Sequence, residues 1–308
     1  MLVKIMETTP SPLQFLILGA GWTSQYLIPE LEREGVEFAA TTTDGRNGTI
    51  PFKFDPESED LTPFRRLPDA DTVLITFPLQ GKGQSRLLTT NYLNSRSSAG
   101  RCSSGRDHHP KPKFIQLGTT SIWTGPGWHD DQSPYNEKAP RAIAEDELLN
   151  QTEVSATVLN LAGLYGGSRQ PRNWLDRVVK TKEDLKNKGA LHVIHGEDVA
   201  RAVLAVHRSH ASGKRYILCD MHVYDWWDLA QDWAILALRE VREKGTEGTE
   251  EGNEVLRKST TILRWVHELM TEEGVKALPR DTSAVGRALD GRGFWGDMGI
   301  LPIHGRIR

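Results

Sequence analysis

The chain is most tightly constrained at Phe15-Leu16-Ile17-Leu18-Gly19-Ala20-Gly21-Trp22-Thr23-Ser24. Four consecutive apolar residues suit a strand buried on both faces rather than one with a wet side. They run into Gly-x-Gly, and a helical pattern over 25–31 follows at once. A strand, a tight turn and a helix in that order aim the free peptide N–H groups and the positive end of the helix dipole at the turn. Such a terminus suits the oxygens of a diphosphate. Gly19 supplies the freedom the turn needs, and Gly21 lets backbone approach the anion. Ser24 stands where a third glycine is usual and is small enough for the helix to lie close to the strand. Gly19, Gly21, Trp22, Thr23 and Ser24 are therefore the expected anion cradle.

Short apolar runs recur after this unit at 36–41, 51–55, 72–77, 113–118 and 156–161, with helical patterns between them. Continuous rather than alternating apolar strands separated by helices predict a parallel sheet covered on both faces. Right-handed crossovers then make it doubly wound, a Rossmann-type α/β fold. Two polar stretches read as solvated loops: an insertion at 94–112, rich in Ser, Arg, Gly and His, and a Gly/Glu/Thr-rich segment at 243–254. From about residue 223 the pattern becomes helical, with helices to about 243 and over 260–273. Trp226, Trp227 and Trp233 are the expected core of that lobe. The predicted organisation is a nucleotide-binding domain at 13–222 and a smaller, mainly helical lobe at 223–308.

Formal charge is nearly balanced at −3, from 38 basic and 41 acidic residues. Neither nucleic acid nor an anionic membrane surface is expected as a partner. The two cysteines, Cys102 and Cys219, argue against a disulfide framework or a cysteine zinc site, and no metal is expected. No run approaches the roughly 18–20 apolar residues of a membrane span, so a cytoplasmic protein is expected.

Several later segments resemble the extended and atypical short-chain dehydrogenase/reductases, the NAD(P)-dependent epimerase/dehydratase-like group. Gln116-Leu117-Gly118-Thr119-Thr120-Ser121-Ile122-Trp123-Thr124-Gly125 is similar to the family's fifth strand and the Tyr-Gly that ends it. Leu159-Asn160-Leu161-Ala162-Gly163-Leu164-Tyr165-Gly166 is similar to its sixth. Leu191 to Ala202, which includes Ile194-His195-Gly196-Glu197-Asp198-Val199-Ala200, resembles its Ile-His-x-x-Asp-x-Ala-x-Ala segment, and 216–220 the strand after it. With the glycine turn, the resemblance spans about 13–222 in the family's order. It implies a nicotinamide coenzyme, a small carbonyl or hydroxyl substrate, and possible homodimerisation.

An NAD-binding member usually carries an acidic residue at the end of the second strand. Here Thr41, Thr42 and Thr43 stand there, with Asp44 and Arg46 just beyond. Hydroxyls without a carboxylate leave room for a 2′-phosphate, and Arg46 can pair with it through a charge-assisted fork. NADP is thus favoured over NAD. The resemblance puts Asp55 near the adenine amine, and Phe77 and Pro78 beside the nicotinamide ribose.

Family chemistry uses Tyr-x-x-x-Lys with a Ser or Thr at the fifth strand. Lysine and the oxidised nicotinamide lower the tyrosine pKa from about 10, so that its phenolate serves as a general base. Thr119 takes the hydroxyl position. The nearest tyrosine, Tyr135, is followed by Lys138 at spacing three, while helix alignment puts Glu137 and Arg141 at the dyad positions. Two readings stand: a shifted Tyr135/Lys138 dyad, or an atypical site that has been rebuilt or lost. The second includes a coenzyme-binding regulator similar to the NmrA-like branch that transfers no hydride. His129 is a candidate general acid or base, with Trp128 beside it. Arg172, next to Asn173 and Trp174, is a candidate partner for an acidic substrate, and His195 is expected to be structural.

Overall fold

The structure, a computed structural model, describes residues 13–97 and 111–307. Five strands open the chain: β1 (Leu13–Leu18), β2 (Phe38–Thr42), β3 (Ile50–Pro51), β4 (Ala70–Ile75) and β5 (Lys113–Thr119). They are followed by β6 (Gly127–His129), β7 (Ser155–Leu161), β8 (Gly163–Tyr165), β9 (Ala190–Leu191) and β10 (Val193–His195). The last three are β11 (Lys214–Leu218), β12 (Tyr224–Asp225) and β13 (Arg287–Leu289). The helices are α1 (Ser24–Arg33), α2 (Thr62–Arg65), α3 (Gln84–Ser97), α4 (Pro140–Leu149), α5 (Arg172–Val178) and α6 (Lys182–Lys186). They continue with α7 (Gly196–Arg208), α8 (Trp226–Glu243), α9 (Glu250–Glu272) and α10 (Arg292–Met298).

Seven strands form one sheet in the order β11-β7-β5-β4-β1-β2-β3. The pairs β1–β2, β1–β4, β2–β3 and β4–β5 are parallel. This is the doubly wound order of a Rossmann fold, as expected: the chain builds outward from β1 to β3, then returns to β4 on the other side of β1. Phe15, Leu16, Ile17 and Leu18 are all fully buried, which the continuous apolar run requires.

By internal packing the chain forms two compact units that interleave along the sequence. The first holds 1–119, 137–159 and 199–215; the second holds 120–136, 160–198 and 216–308. The expected cut at 222/223 lies inside the second unit, and the unit boundary passes through β7 and β11.

In the first unit one core joins Leu16, Leu18, Val73, Ile75 and Phe114 of the sheet to Phe64 of α2, Leu88 and Tyr92 of α3, and Leu148 of α4. On the strand pair β1–β4, the His207 ring packs edge-on against Phe15, and its Nδ1 lies 2.8 Å from the Thr72 hydroxyl. The Lys113 ammonium donates to the carbonyls of Val206, His207 and Ser209 at the end of α7, complementing the negative end of that helix dipole. The second unit has its own core around Trp226, Trp227, Trp233, Val266 and Leu269, as expected for the tryptophan cluster. Asp225 caps α8 by accepting from the Trp227 N–H at 3.0 Å, and it also pairs with the buried Arg280. Among the described residues, no helix is long and apolar enough to cross a membrane.

Two expectations about loops are corrected. Asn94 to Ser97 continue α3 instead of opening an insertion, and 98–110 lie outside the described residues. The polar stretch at 243–254 is a loop only over 244–249: α8 runs to Glu243 and α9 starts at Glu250. The Thr249 hydroxyl accepts from the Gly252 N–H at 3.0 Å, and Glu250 and Glu251 occupy the positive end of the helix. A capped start with first-turn acids favours a helix even where the segment has little apolar surface to bury.

Glu145 of α4 is almost fully buried and accepts from Arg215 at 2.9 Å, while Arg215 also donates to Asp146 at 2.6 Å. Removing one partner of such a pair leaves an uncompensated buried charge. Arg215→Met should cost about 3–5 kcal/mol in denaturant unfolding, and adding Glu145→Gln should recover a large part of that. In the second unit His192 is buried and its Nε2 accepts from the Leu289 N–H at 3.0 Å. Burial, then the nearby Arg287 charge, pushes its pKa down to about 4. The unfolded chain binds this proton near pH 6.5, so the contribution of neutral His192 is whole above that value and is lost as pH falls towards 4. Unfolding curves for His192→Gln should accordingly show a weaker decline between pH 6.5 and 4 than the parent.

Candidate functional site

The site is built where the strand order reverses. β1 ends at Leu18, and the chain turns at Gly19 with φ +93°, a conformation that side chains rarely adopt. A Cβ there would lie 2.7 Å from the Thr76 hydroxyl and 3.2 Å from the Phe77 ring, so the turn has no room for one. The Gly19 N–H donates to the Thr41 hydroxyl at 2.9 Å and the Ala20 N–H to the Thr41 carbonyl at 2.6 Å, tying the turn to the end of β2. Gly21 differs: a Cβ on it would meet nothing within 4 Å. The glycine therefore leaves open space that the protein does not fill.

Helix α1 begins immediately after, with Thr23 at its N-cap and no side-chain cap. Ser24 is buried, and its hydroxyl finds no hydrogen-bond partner among the described residues. A buried hydroxyl without a partner normally costs about 1–3 kcal/mol. One at a helix N-terminus beside an open glycine is suited to an anionic ligand. Ala20, Gly21, Trp22, Ser24, Thr42 and Arg46 converge on a cleft of about 410 Å³. The composition of the cradle therefore fits a diphosphate group.

At the end of β2 the structure adds detail that the sequence lacks. The Thr42 hydroxyl donates to Asp44, accepts from the Gly45 N–H and touches the Thr49 hydroxyl at 2.7 Å. That bond, with the Arg46 N–H and charge beside it, holds the Asp44 carboxyl below its ordinary range. Arg46 reaches Asp44 at 3.0 Å, and both side chains are exposed. A 2′-phosphate would have to draw Arg46 away from this carboxylate, which screening by water makes easy. Gln25, Ile28, Asn47 and Thr49 also line the cleft and were not anticipated. The turn residues Gly45-Arg46-Asn47-Gly48, with Asn47 at φ 55°, are the sequence signal for Asn47 and Thr49, whereas Gln25 and Ile28 lie on α1.

The other expected residues lie as follows. Thr43 is exposed just beyond β2. Asp55 is exposed after β3 and accepts from the Glu57 N–H. Neither lines the cleft. Phe77 stacks on Phe54, with ring centroids 6.1 Å apart, and reaches the Gly19 turn; Pro78 beside it is exposed. Thr119 ends β5 and is half-buried. Tyr135 is half-buried with its ring edge against Trp123, and Lys138 is exposed. The unit boundary falls between Asn136 and Glu137, and both dyad candidates precede α4, which starts at Pro140. No helical turn carries them, because the proline starts the helix two residues after Lys138 and five after Tyr135. Arg141, in that first helical turn, donates to the Leu117 carbonyl at 2.9 Å and lies 3.8 Å from Glu145. Burial lowers its pKa, against the pull of Glu145.

In the second unit Trp128 is exposed on β6, while the neighbouring His129 places its Nε2 2.8 Å from the Gly125 carbonyl. Arg172 pairs with Glu240 at 2.6 Å, beside a cavity of about 510 Å³ among α5, α8 and α9. His195 ends β10.

No family model matches the chain, and no curated protein matches its sequence. Solved structures do match over nearly the whole length. A Methylobacillus flagellatus protein assigned to the NAD-dependent epimerase/dehydratases is similar at 17% identity, covering 96% of this chain and 95% of that one, with a TM-score of 0.58. Vestitone reductase from alfalfa (Medicago sativa) follows at 15%, 95% and 94%, with a TM-score of 0.56. RMD from Pseudomonas aeruginosa, solved with NADPH, follows at 12%, 95% and 93%, with a TM-score of 0.54. The chain has the fold shared by these epimerase/dehydratase-like and reductase structures.

Proposed function

We propose that the protein binds a nicotinamide dinucleotide in the cleft at the strand-order reversal, as an oxidoreductase or epimerase/dehydratase-like enzyme acting on a small carbonyl or hydroxyl compound. The observation that carries this reading is the open Gly21 beside the partnerless Ser24 hydroxyl at the start of α1. The bound nicotinamide would supply hydride transfer. The peptide groups opening α1 hold the diphosphate, with Ser24 donating its hydroxyl to an oxygen. Arg46 leaves Asp44 to pair with a 2′-phosphate, which favours NADP over NAD. Thr119 orients the substrate oxygen, and Tyr135 with Lys138 moves a proton at it. The folds of an NAD-dependent epimerase/dehydratase and of an NADPH complex among the similar structures support a nicotinamide as the ligand class.

A second reading is a coenzyme-binding regulator that transfers no hydride. It is favoured by the non-helical setting of Tyr135 and Lys138, and by Arg141 being spent on the Leu117 carbonyl.

Titration of purified protein with NADPH and NADH, followed by nicotinamide fluorescence, should show NADPH binding more tightly; no binding of either sinks the proposal. Arg46→Ala should weaken NADPH by about tenfold, one charge-assisted contact, and leave NADH nearly unchanged. Gly21→Ala places its methyl in the open cleft and should weaken both coenzymes without lowering Tm. Gly19→Ala should instead lower Tm, because the strained φ and the Thr76 contact are built into the fold. With a panel of small carbonyl compounds and NADPH, turnover that Tyr135→Phe abolishes supports the shifted dyad. Turnover unchanged by Tyr135→Phe rejects that dyad, and no turnover across the panel favours the regulator.

A further inference from the structure

The junction between β10 and α7 brings together three side chains that neither the sequence patterns nor the coenzyme cleft explains. His195 is the last residue of β10 and Glu197 lies in the first turn of α7, two residues on. His304 comes from the C-terminal segment. Among the described residues, these are the one group of three or more His, Cys, Asp or Glu side chains whose ligand atoms all lie within 4.8 Å of one another. His304 Nε2 is 2.7 Å from Glu197 Oε2, and the His195 and His304 rings face each other with centroids 3.5 Å apart. All three are half-buried, so an ion has a path from solvent.

The surrounding structure holds this arrangement from the backbone. Asp198, fully buried, accepts from the Ile303 N–H at 2.8 Å and from the His304 N–H at 3.1 Å, which carries His304 to the junction. Tyr165, paired with His195 in the β8–β10 ladder, packs its ring edge-on against His195 at 5.0 Å. Ligand orientation set by neighbouring carboxylates and rings is how metal sites hold their geometry.

We infer that His195, Glu197 and His304 form a binding site for a divalent transition-metal ion of the zinc type. Two imidazoles and one carboxylate are a ligand set that zinc accepts, with bonds of about 2.0–2.2 Å and a fourth position left for water. Tetrahedral ligands at that range stand about 3.4 Å apart, and the ligand atoms here already lie within 4.8 Å of one another. The ion takes the Nε2 lone pair of His304 in the tautomer that carries its proton on Nδ1, so the hydrogen bond to Glu197 is exchanged for bonds from both groups to the metal. The bound ion staples the C-terminal segment to the β10–α7 junction. The inference is independent of the coenzyme reading.

Tag-free full-length protein, stripped with a chelator and dialysed, is titrated with Zn²⁺ by calorimetry and with Co²⁺ by visible absorption. The expected result is one site per chain, the intense visible bands of tetrahedral Co²⁺, and a Tm that rises with Zn²⁺ concentration. His304→Ala and Glu197→Gln should each weaken Zn²⁺ at least tenfold, and His222→Ala should leave it unchanged. Glu197→Gln keeps a hydrogen-bond acceptor for His304, so it reports on the site even where His304→Ala fails to fold. Absence of a one-to-one Zn²⁺ site, or a site that Glu197→Gln leaves intact, overturns the inference.

Discussion

A parallel sheet buried on both faces satisfies the backbone of its inner strands within itself and leaves free peptide groups at its edges and at the strand ends. In this chain that constraint becomes useful at one place, between β1 and β4. There the order of strands reverses, so the chain leaves the two neighbouring strands towards opposite sides of the sheet. The Gly19 turn that leaves β1 abuts Thr76 and Phe77 after β4, and the cleft beside it is lined by the start of α1 and the end of β2. The glycine turn, the Thr41 hydroxyl that ties it to β2 and the Ser24 hydroxyl at the helix start all follow from this geometry. The two glycines of the motif do different things. Gly19 is required by the backbone, and Gly21 is required only if something occupies the space beside it.

Two carboxylates buried in the two units are each paired with an arginine. Glu145 with Arg215 in the first unit, and Asp225 with Arg280 in the second, are held at hydrogen-bond distance. Arg280 also lies over the Trp227 ring at 3.9 Å, adding a cation–π contact to the ion pair. Asp131 in the second unit is the counter-case: it accepts the Ile217 N–H at 3.0 Å, and burial pushes its carboxyl up to about 6.

The catalytic question turns on where a helix starts. A Tyr-x-x-x-Lys dyad depends on helical spacing to bring two side chains to one face. Pro140 places the start of α4 after Tyr135 and Lys138, so that spacing has no helix beneath it. Arg141, the residue aligned with the family's lysine, is on the helix but is directed to a backbone carbonyl. The glycine turn after β1 thus keeps the features of its fold more closely than the segment before α4 does.

Much of the fold was legible because its signals are local. Apolar runs, a Gly-x-Gly turn and helical patterns each depend on neighbours in sequence, and the strands and their doubly wound order followed from them. The start of α9 was misread because composition was weighed above the cap, Thr249 followed by two acids. The interleaving of the two units, the Asp44–Arg46 pair and the meeting of His195 and Glu197 with His304 could not be read from the chain. The last of these joins residues more than a hundred positions apart through the hold of Asp198 on a backbone segment. Sequence alone therefore determined the sheet and the glycine turn after β1, since short-range periodicity and glycine conformations encode both. Tertiary structure alone decided which polar groups meet, because that depends on long-range contacts that no spacing records.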